Sequence, residues 1–100
     1  MDSPLPRRLK AARLSCQLTQ RELGVCLGME ENTASARMNQ YEKGKHAPDY
    51  QTMQRLAKVL GVPVAYFYCD DDLLAKLLCA IAKQPKEKQE QLLRELGEDE

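Results

Sequence analysis

The chain of 100 residues contains no Trp, one Phe and one His. That His, His46, has no second ligand close by in sequence, so no metal site is expected. No Ser/His/Asp or Cys/His catalytic arrangement can be placed either. Glycine is scarce, five in all, and never clusters into a loop that could cradle phosphate. No cofactor and no enzymatic activity are expected. The four Cys (16, 26, 69 and 79) show neither CxxC nor Cys/His ligand spacing, and three of them fall inside apolar helical patterns. With no leader-like segment to indicate an oxidising compartment, they read as buried, reduced thiols of a cytoplasmic protein. No apolar run approaches the roughly 20 residues of a membrane helix. Strand alternation and internal repeats are also missing.

Net charge is absent only in the sum. Residues 1–68 hold ten Lys/Arg against six Asp/Glu, net +4, and residues 69–100 hold five against nine, net −4. A basic front can face a polyanion and an acidic tail cannot, so the two parts carry different tasks. One hundred residues is one domain with a short appendage. The abundant Ala, Leu, Gln, Glu, Lys and Arg all favour helix.

Periodicity divides the chain into helices. Ser3-Pro4 opens the first, with Leu5, Leu9, Ala12 and Cys16 on one stripe and Arg7, Arg8, Lys10 and Arg13 off it. Thr19-Gln20-Arg21-Glu22 is a capping box for the second, with Leu23, Cys26 and Leu27 inward and Gly28 just past its end. Gly24 in mid-helix costs about 1 kcal/mol against Ala, which a close approach of another helix would justify. In the third helix Ala34, Met38 and Tyr41 form the buried stripe. Opposite them stand small and amide side chains where a core-covering helix would carry Leu, Glu and Lys. Glu30 and Glu31 favour its N-terminus, and Gly44 stops it. Asp49 caps a fourth helix with Tyr50, Met53, Leu56, Ala57 and Leu60 inward, and Gly61 ends it. Pro63 opens a short fifth helix through Tyr68. Asp70-Asp71-Asp72 is placed to cap the next helix. Residues 71–96 then read as an acidic helical hairpin, broken at Gln84-Pro85, with Leu73, Leu74, Leu77, Leu78 and Ile81 on one stripe and Leu92, Leu93 and Leu96 on another. Gly97 to Glu100 is expected to fray.

The linked set "LTQRELGVCLG", "TAS" and "YEKGKHAPD" resembles the helix-turn-helix domain of the phage repressor/Cro-like (XRE) family of transcription regulators, over about residues 5–68. Two departures stand out. Gly24 occupies a position where the family usually has Ala. Between the Thr-x-Ser of helix 3 and its aromatic-Glu pair, a gap filled here by Ala36 to Gln40, the family usually has about four fewer residues; four is just over one turn of about 3.6, which keeps the apolar stripe in phase and predicts a longer recognition helix. The fold this implies is all-α, with a five-helix repressor-like DNA-binding domain (1–69) and a C-terminal helical segment (70–100) for self-association.

A helix fits the major groove, where amides suit adenine, Arg suits guanine, Ser serves several bases and Ala touches a thymine methyl. Asn32, Ser35, Ala36, Arg37, Asn39 and Gln40 are therefore the expected base readers. Gln20 and Arg21 begin helix 2, where similar domains hold the phosphate backbone. Lys43, Lys45 and His46 flank the following loop and are expected to add phosphate contacts. The resemblance further implies that Arg13 and Glu42 form a buried ion pair tying helix 1 to the end of helix 3. The function expected is that of a homodimeric repressor of bacterial or phage type reading a palindromic operator in duplex DNA, with the hairpin leucines as its dimer surface. In the alternative reading the stripe packs back on its own domain, or the protein is an antitoxin-like interaction module whose hairpin binds another protein.

Overall fold

A computed structural model describes residues 3–97. Among them six α-helices and one 3₁₀ helix follow in order: α1 (Leu5–Ser15), α2 (Gln20–Cys26), α3 (Glu31–Glu42), α4 (Tyr50–Leu60), the 3₁₀ helix (Val64–Tyr68), α5 (Asp72–Ala82) and α6 (Lys86–Glu95). The short element after Pro63 is thus 3₁₀ and not α. A segment of five residues ends before α-type hydrogen bonds can accumulate. Of the segment expected to fray, residues 98–100 lie outside the described residues.

Side chains set most helix starts. The Leu5 N–H donates to Ser3 Oγ at 3.1 Å, with Pro4 and Pro6 beside it. At α2 the capping box is complete: the Glu22 N–H donates to Thr19 Oγ1 at 3.0 Å and the Thr19 N–H to Glu22 Oε1 at 2.8 Å. The backbone hydrogen bond from Thr19, and then its side chain, hold the Glu22 carboxyl below its ordinary pKa. Asp49 and Asp71 cap α4 and α5, each accepting a backbone N–H at 2.8 Å.

The core gathers one stripe from each of the first four helices. Leu5 and Leu9 of α1, Leu23 of α2, Met38 of α3, and Met53 and Leu56 of α4 close around a fully buried Phe67. Helices α2 and α3 touch at Gly24. A Cβ there would lie 2.6 Å from Ala34 Cβ and 3.0 Å from its Cα, so the missing side chain is what lets the two backbones approach. Gly28, at φ +90°, then turns the chain from α2 to α3. A guanidinium from α4, Arg55, donates to the Leu27 carbonyl beside this turn.

Three inward assignments are corrected. Tyr50 is 65% exposed, because it is the first residue of α4 and points past the core edge. Cys16 and Cys26 are exposed and Cys69 and Cys79 half-buried. Leu23 and Leu27 take the inner face of α2, and Cys16 lies beyond the last packed turn of α1. Arg8 and Arg13, off the apolar stripe, are buried nonetheless. In the hairpin only Ala75 is fully buried, while Leu78 and Leu92 are half-buried and Leu73, Leu74, Leu77, Ile81, Leu93 and Leu96 stay exposed. The Gln89 amide donates to the Ile81 carbonyl at 2.9 Å and pins α6 to α5.

Gly24→Ala gains about 1 kcal/mol of helix propensity but drives a methyl into Ala34. Overpacking costs about 1–3 kcal/mol, so the expected outcome is a net loss of up to about 2 kcal/mol, read as a lower urea midpoint at unchanged slope.

Candidate nucleic-acid interface

Helix α3 has two unlike faces. Ala34 and Met38 are fully buried and Tyr41 nearly so, while Asn32, Ser35, Ala36, Arg37, Asn39 and Gln40 are all exposed. The period of the apolar residues makes this division. Positions four and seven residues after Ala34 return to the core side, and the residues between them turn away. Twelve residues give α3 a length of about 18 Å, enough to lie along a major groove.

Below this face lies a charged network. Arg13 Nε donates to Glu42 Oε2 at 2.6 Å and Arg13 Nη2 to Glu42 Oε1 at 3.1 Å, with both side chains over 90% buried. Arg13 Nη1 also donates to the Leu18 carbonyl at 2.8 Å, in the bend before α2. One side chain thus ties α1, the start of the helix-turn-helix unit and the end of α3. The Gln20 amide joins in, with Nε2 donating to Glu42 Oε1 at 3.1 Å and to Asn39 Oδ1 at 3.3 Å. A carboxylate only accepts, so this nitrogen must face inward and the Gln20 oxygen outward. Among the described residues no buried side-chain N or O lacks a partner.

The other candidates spread along the same side. Arg21 at the start of α2 pairs with Glu31 at the start of α3, a bridge between two exposed side chains. Lys43 ends α3, and Lys45 and His46 follow it, all three exposed. The backbone N–H groups of Lys45 and His46 both reach back to the Gln40 carbonyl, at 2.9 and 3.4 Å. This folds the loop against the helix, so that His46, Arg37 and Gln40 line one shallow cavity of about 290 Å³. Gln20, Asn39, Gln40, Lys43 and the loop therefore share one end of α3, and Asn32 sits at the other. Among the described residues no three His, Cys, Asp or Glu side chains gather as a metal site would need, and no helix is long and apolar enough to cross a membrane.

Sequence reasoning missed two arginines. Arg55 braces the turn between α2 and α3. Arg8 holds the chain after the 3₁₀ helix, with Nε 2.9 Å from the Cys69 carbonyl and Nη2 2.9 Å from Asp72 Oδ1. The available signal was its place three residues after Leu5 and four before Ala12, flanking the apolar stripe.

Comparison with known proteins agrees with this geometry. A family model described as helix-turn-helix matches residues 9–67. The cryptic phage CTXphi transcriptional repressor RstR of Vibrio cholerae is 34% identical over 65 residues, 65% of this chain and 55% of that protein. The chain thus spans about half the length of this curated relative. The crystal structure of the transcriptional regulator BswR superposes with a TM-score of 0.87 at 44% identity, covering 95% of this chain and 94% of that one. That coverage runs beyond the family match, so the α5–α6 hairpin belongs to the shared architecture.

Replacing Glu42 with Ala leaves the Arg13 guanidinium buried without its anion and cuts Gln20 loose. The expected loss of stability is about 3–5 kcal/mol, measured by denaturant unfolding. A loss below about 1 kcal/mol, the ordinary value for an exposed pair, would show that the pair does not anchor α3.

Proposed function

Because the chain belongs to the helix-turn-helix family, matched over residues 9–67, we propose that it is a sequence-specific DNA-binding transcriptional regulator. It acts as a homodimeric repressor that reads a palindromic operator through the major groove. The observation that carries this reading is the exposed amide and small-residue face of α3, backed by a fully buried Ala34 and Met38. In the proposed complex Asn32, Ser35, Ala36, Arg37, Asn39 and Gln40 meet base edges. Gln20, Arg21, Lys43, Lys45 and His46 meet phosphates, with the N-terminus of α2 adding backbone donors. The Arg21–Glu31 bridge opens on docking, and Arg21 exchanges one anion for another. The two similar proteins, a transcriptional repressor and a transcriptional regulator, support the assignment.

Dimerisation follows from the energetics of so small a reader. One module makes few phosphate contacts, and two related by a two-fold axis double both contacts and base readout. The hairpin supplies the surface. Leu73, Leu74, Leu77, Ile81, Leu93 and Leu96 are between 38% and 72% exposed, an arrangement that water disfavours and a second copy relieves. The same stripe favours a second reading, in which the hairpin binds a different protein. Mass in solution separates the two.

Asn39→Ala and Gln40→Ala should each shift base preference by about 1–3 kcal/mol at one base pair, read by selecting bound DNA from a random pool. An unchanged selected sequence would remove these residues from the reader. Lys43→Ala and Lys45→Ala should instead weaken binding to all sequences and each lower the salt slope by about one. Leu77→Glu should give monomers by sedimentation, and a persisting dimer would move the interface elsewhere.

A further inference from the structure

Between the 3₁₀ helix and α5 lie only Cys69, Asp70 and Asp71, in non-helical conformation. Such a link is where a hinge would form. Beyond it little holds the hairpin to the rest of the protein. Among the described hairpin residues only Ala75 is fully buried, and α6 has no buried residue.

Arg8 occupies this point. Its side chain is 9% exposed although it carries a permanent charge. Nε donates to the Cys69 carbonyl at 2.9 Å, and Nη2 donates to the Asp70 carbonyl at 3.1 Å and to Asp72 Oδ1 at 2.9 Å. Two of the three link carbonyls and the first residue of α5 are thus bound by one planar fork from α1. Behind it the guanidinium carbon stands 5.6 Å from the centre of the Tyr66 ring, and the Tyr66 hydroxyl donates to the Arg8 carbonyl at 3.4 Å. Arg7 adds a second, exposed grip, 3.2 Å from Asp72 Oδ1 and 3.0 Å from the Asp70 carbonyl. The Arg8 and Arg7 hydrogen bonds hold the Asp72 carboxyl below its ordinary pKa.

We infer that Arg8, gripping residues 69–72, is a positioning residue that sets the angle between the DNA-reading helices and the hairpin, and through it the half-site spacing the dimer accepts. The inference rests on the dimeric reading above. The lever arm makes it quantitative. With 11 residues, α5 extends about 16 Å, so a rotation of about 10° at the link moves its far end by about 3 Å, close to the rise of one base pair of about 3.4 Å. A dimer places two such arms between its readers. A loose link would let the readers settle at several spacings, and a clamped one allows few. Arg8 belongs to α1 and the Asp72 side chain is 77% exposed; neither is one of the exposed α3 residues or the hairpin leucines, so the clamp can be loosened by substitutions outside both sets.

The test measures binding of the full chain to paired half-sites whose centre-to-centre distance is varied one base pair at a time, alongside a single half-site and solution mass. Wild type, Asp72→Ala and Arg8→Lys are compared. Asp72 is largely exposed, so Asp72→Ala keeps the fold even if the buried Arg8 tolerates no change. Wild type should prefer one spacing by about tenfold over its neighbours, and Asp72→Ala should reduce that preference to about threefold or less with single-half-site affinity and dimer mass unchanged. A spacing profile as narrow in Asp72→Ala and Arg8→Lys as in wild type overturns the inference and leaves the dimeric reading standing. A loss of dimers in Asp72→Ala overturns it in favour of a direct interface role for this carboxylate. Wild type that is dimeric but indifferent to spacing overturns the inference and leaves the dimeric reading standing, and wild type that is monomeric overturns both.

Discussion

The orientation of α3 depends on one buried charge pair. Arg13 and Glu42 meet through two hydrogen bonds where water hardly reaches. Opposite charges in such a site hold each other firmly, because neither can exchange its partner for solvent. The pair joins the end of α3 to α1, and Gly24 lets the first turn of α3 press against α2. Together with the Met38 contact to the core, these fix the helix at both ends and in its middle. Its outer face can then carry amide and small side chains, because the core packing does not depend on it.

That outer face is also shaped from below. Glu42 directs the Gln20 nitrogen inward, and Gln20 in turn occupies the Asn39 oxygen. A side-chain amide in water samples both orientations, and here the carboxylate selects one. The ion pair therefore reaches the surface as a defined pattern of donors and acceptors. Order of this kind before binding lowers the entropy lost on association.

Much of this was legible in the sequence because it is local or periodic. The capping box at Thr19–Glu22, the Asp49 cap and the glycine at the α2–α3 turn are chemistry within a few residues. The Ala34, Met38 and Tyr41 stripe follows from 3.6 residues per turn. Gly24 announced a close approach by its position in mid-helix, although only the fold named Ala34 as the neighbour. Where periodicity misled, a helix end was involved. Cys16 and Tyr50 sit on their apolar stripes, but at termini where the stripe outruns the core. The five residues from Val64 carry helical composition and form 3₁₀ turns, since length and not composition decides between the two.

The sequence by itself determined the order of the helical segments, the two faces of α3, and the split of charge into a basic front and an acidic, leucine-rich hairpin. These depend on spacing and on residue chemistry, which are one-dimensional. Only the tertiary structure decided these long-range hydrogen bonds: Gln20 with Glu42 and Asn39, Arg55 with the Leu27 carbonyl, and Arg8 with the carbonyls of residues 69 and 70. Such partners lie between 19 and 62 residues apart, and no periodicity links them. An arginine reads as a surface residue until the fold brings to it the acceptors that make its burial tolerable.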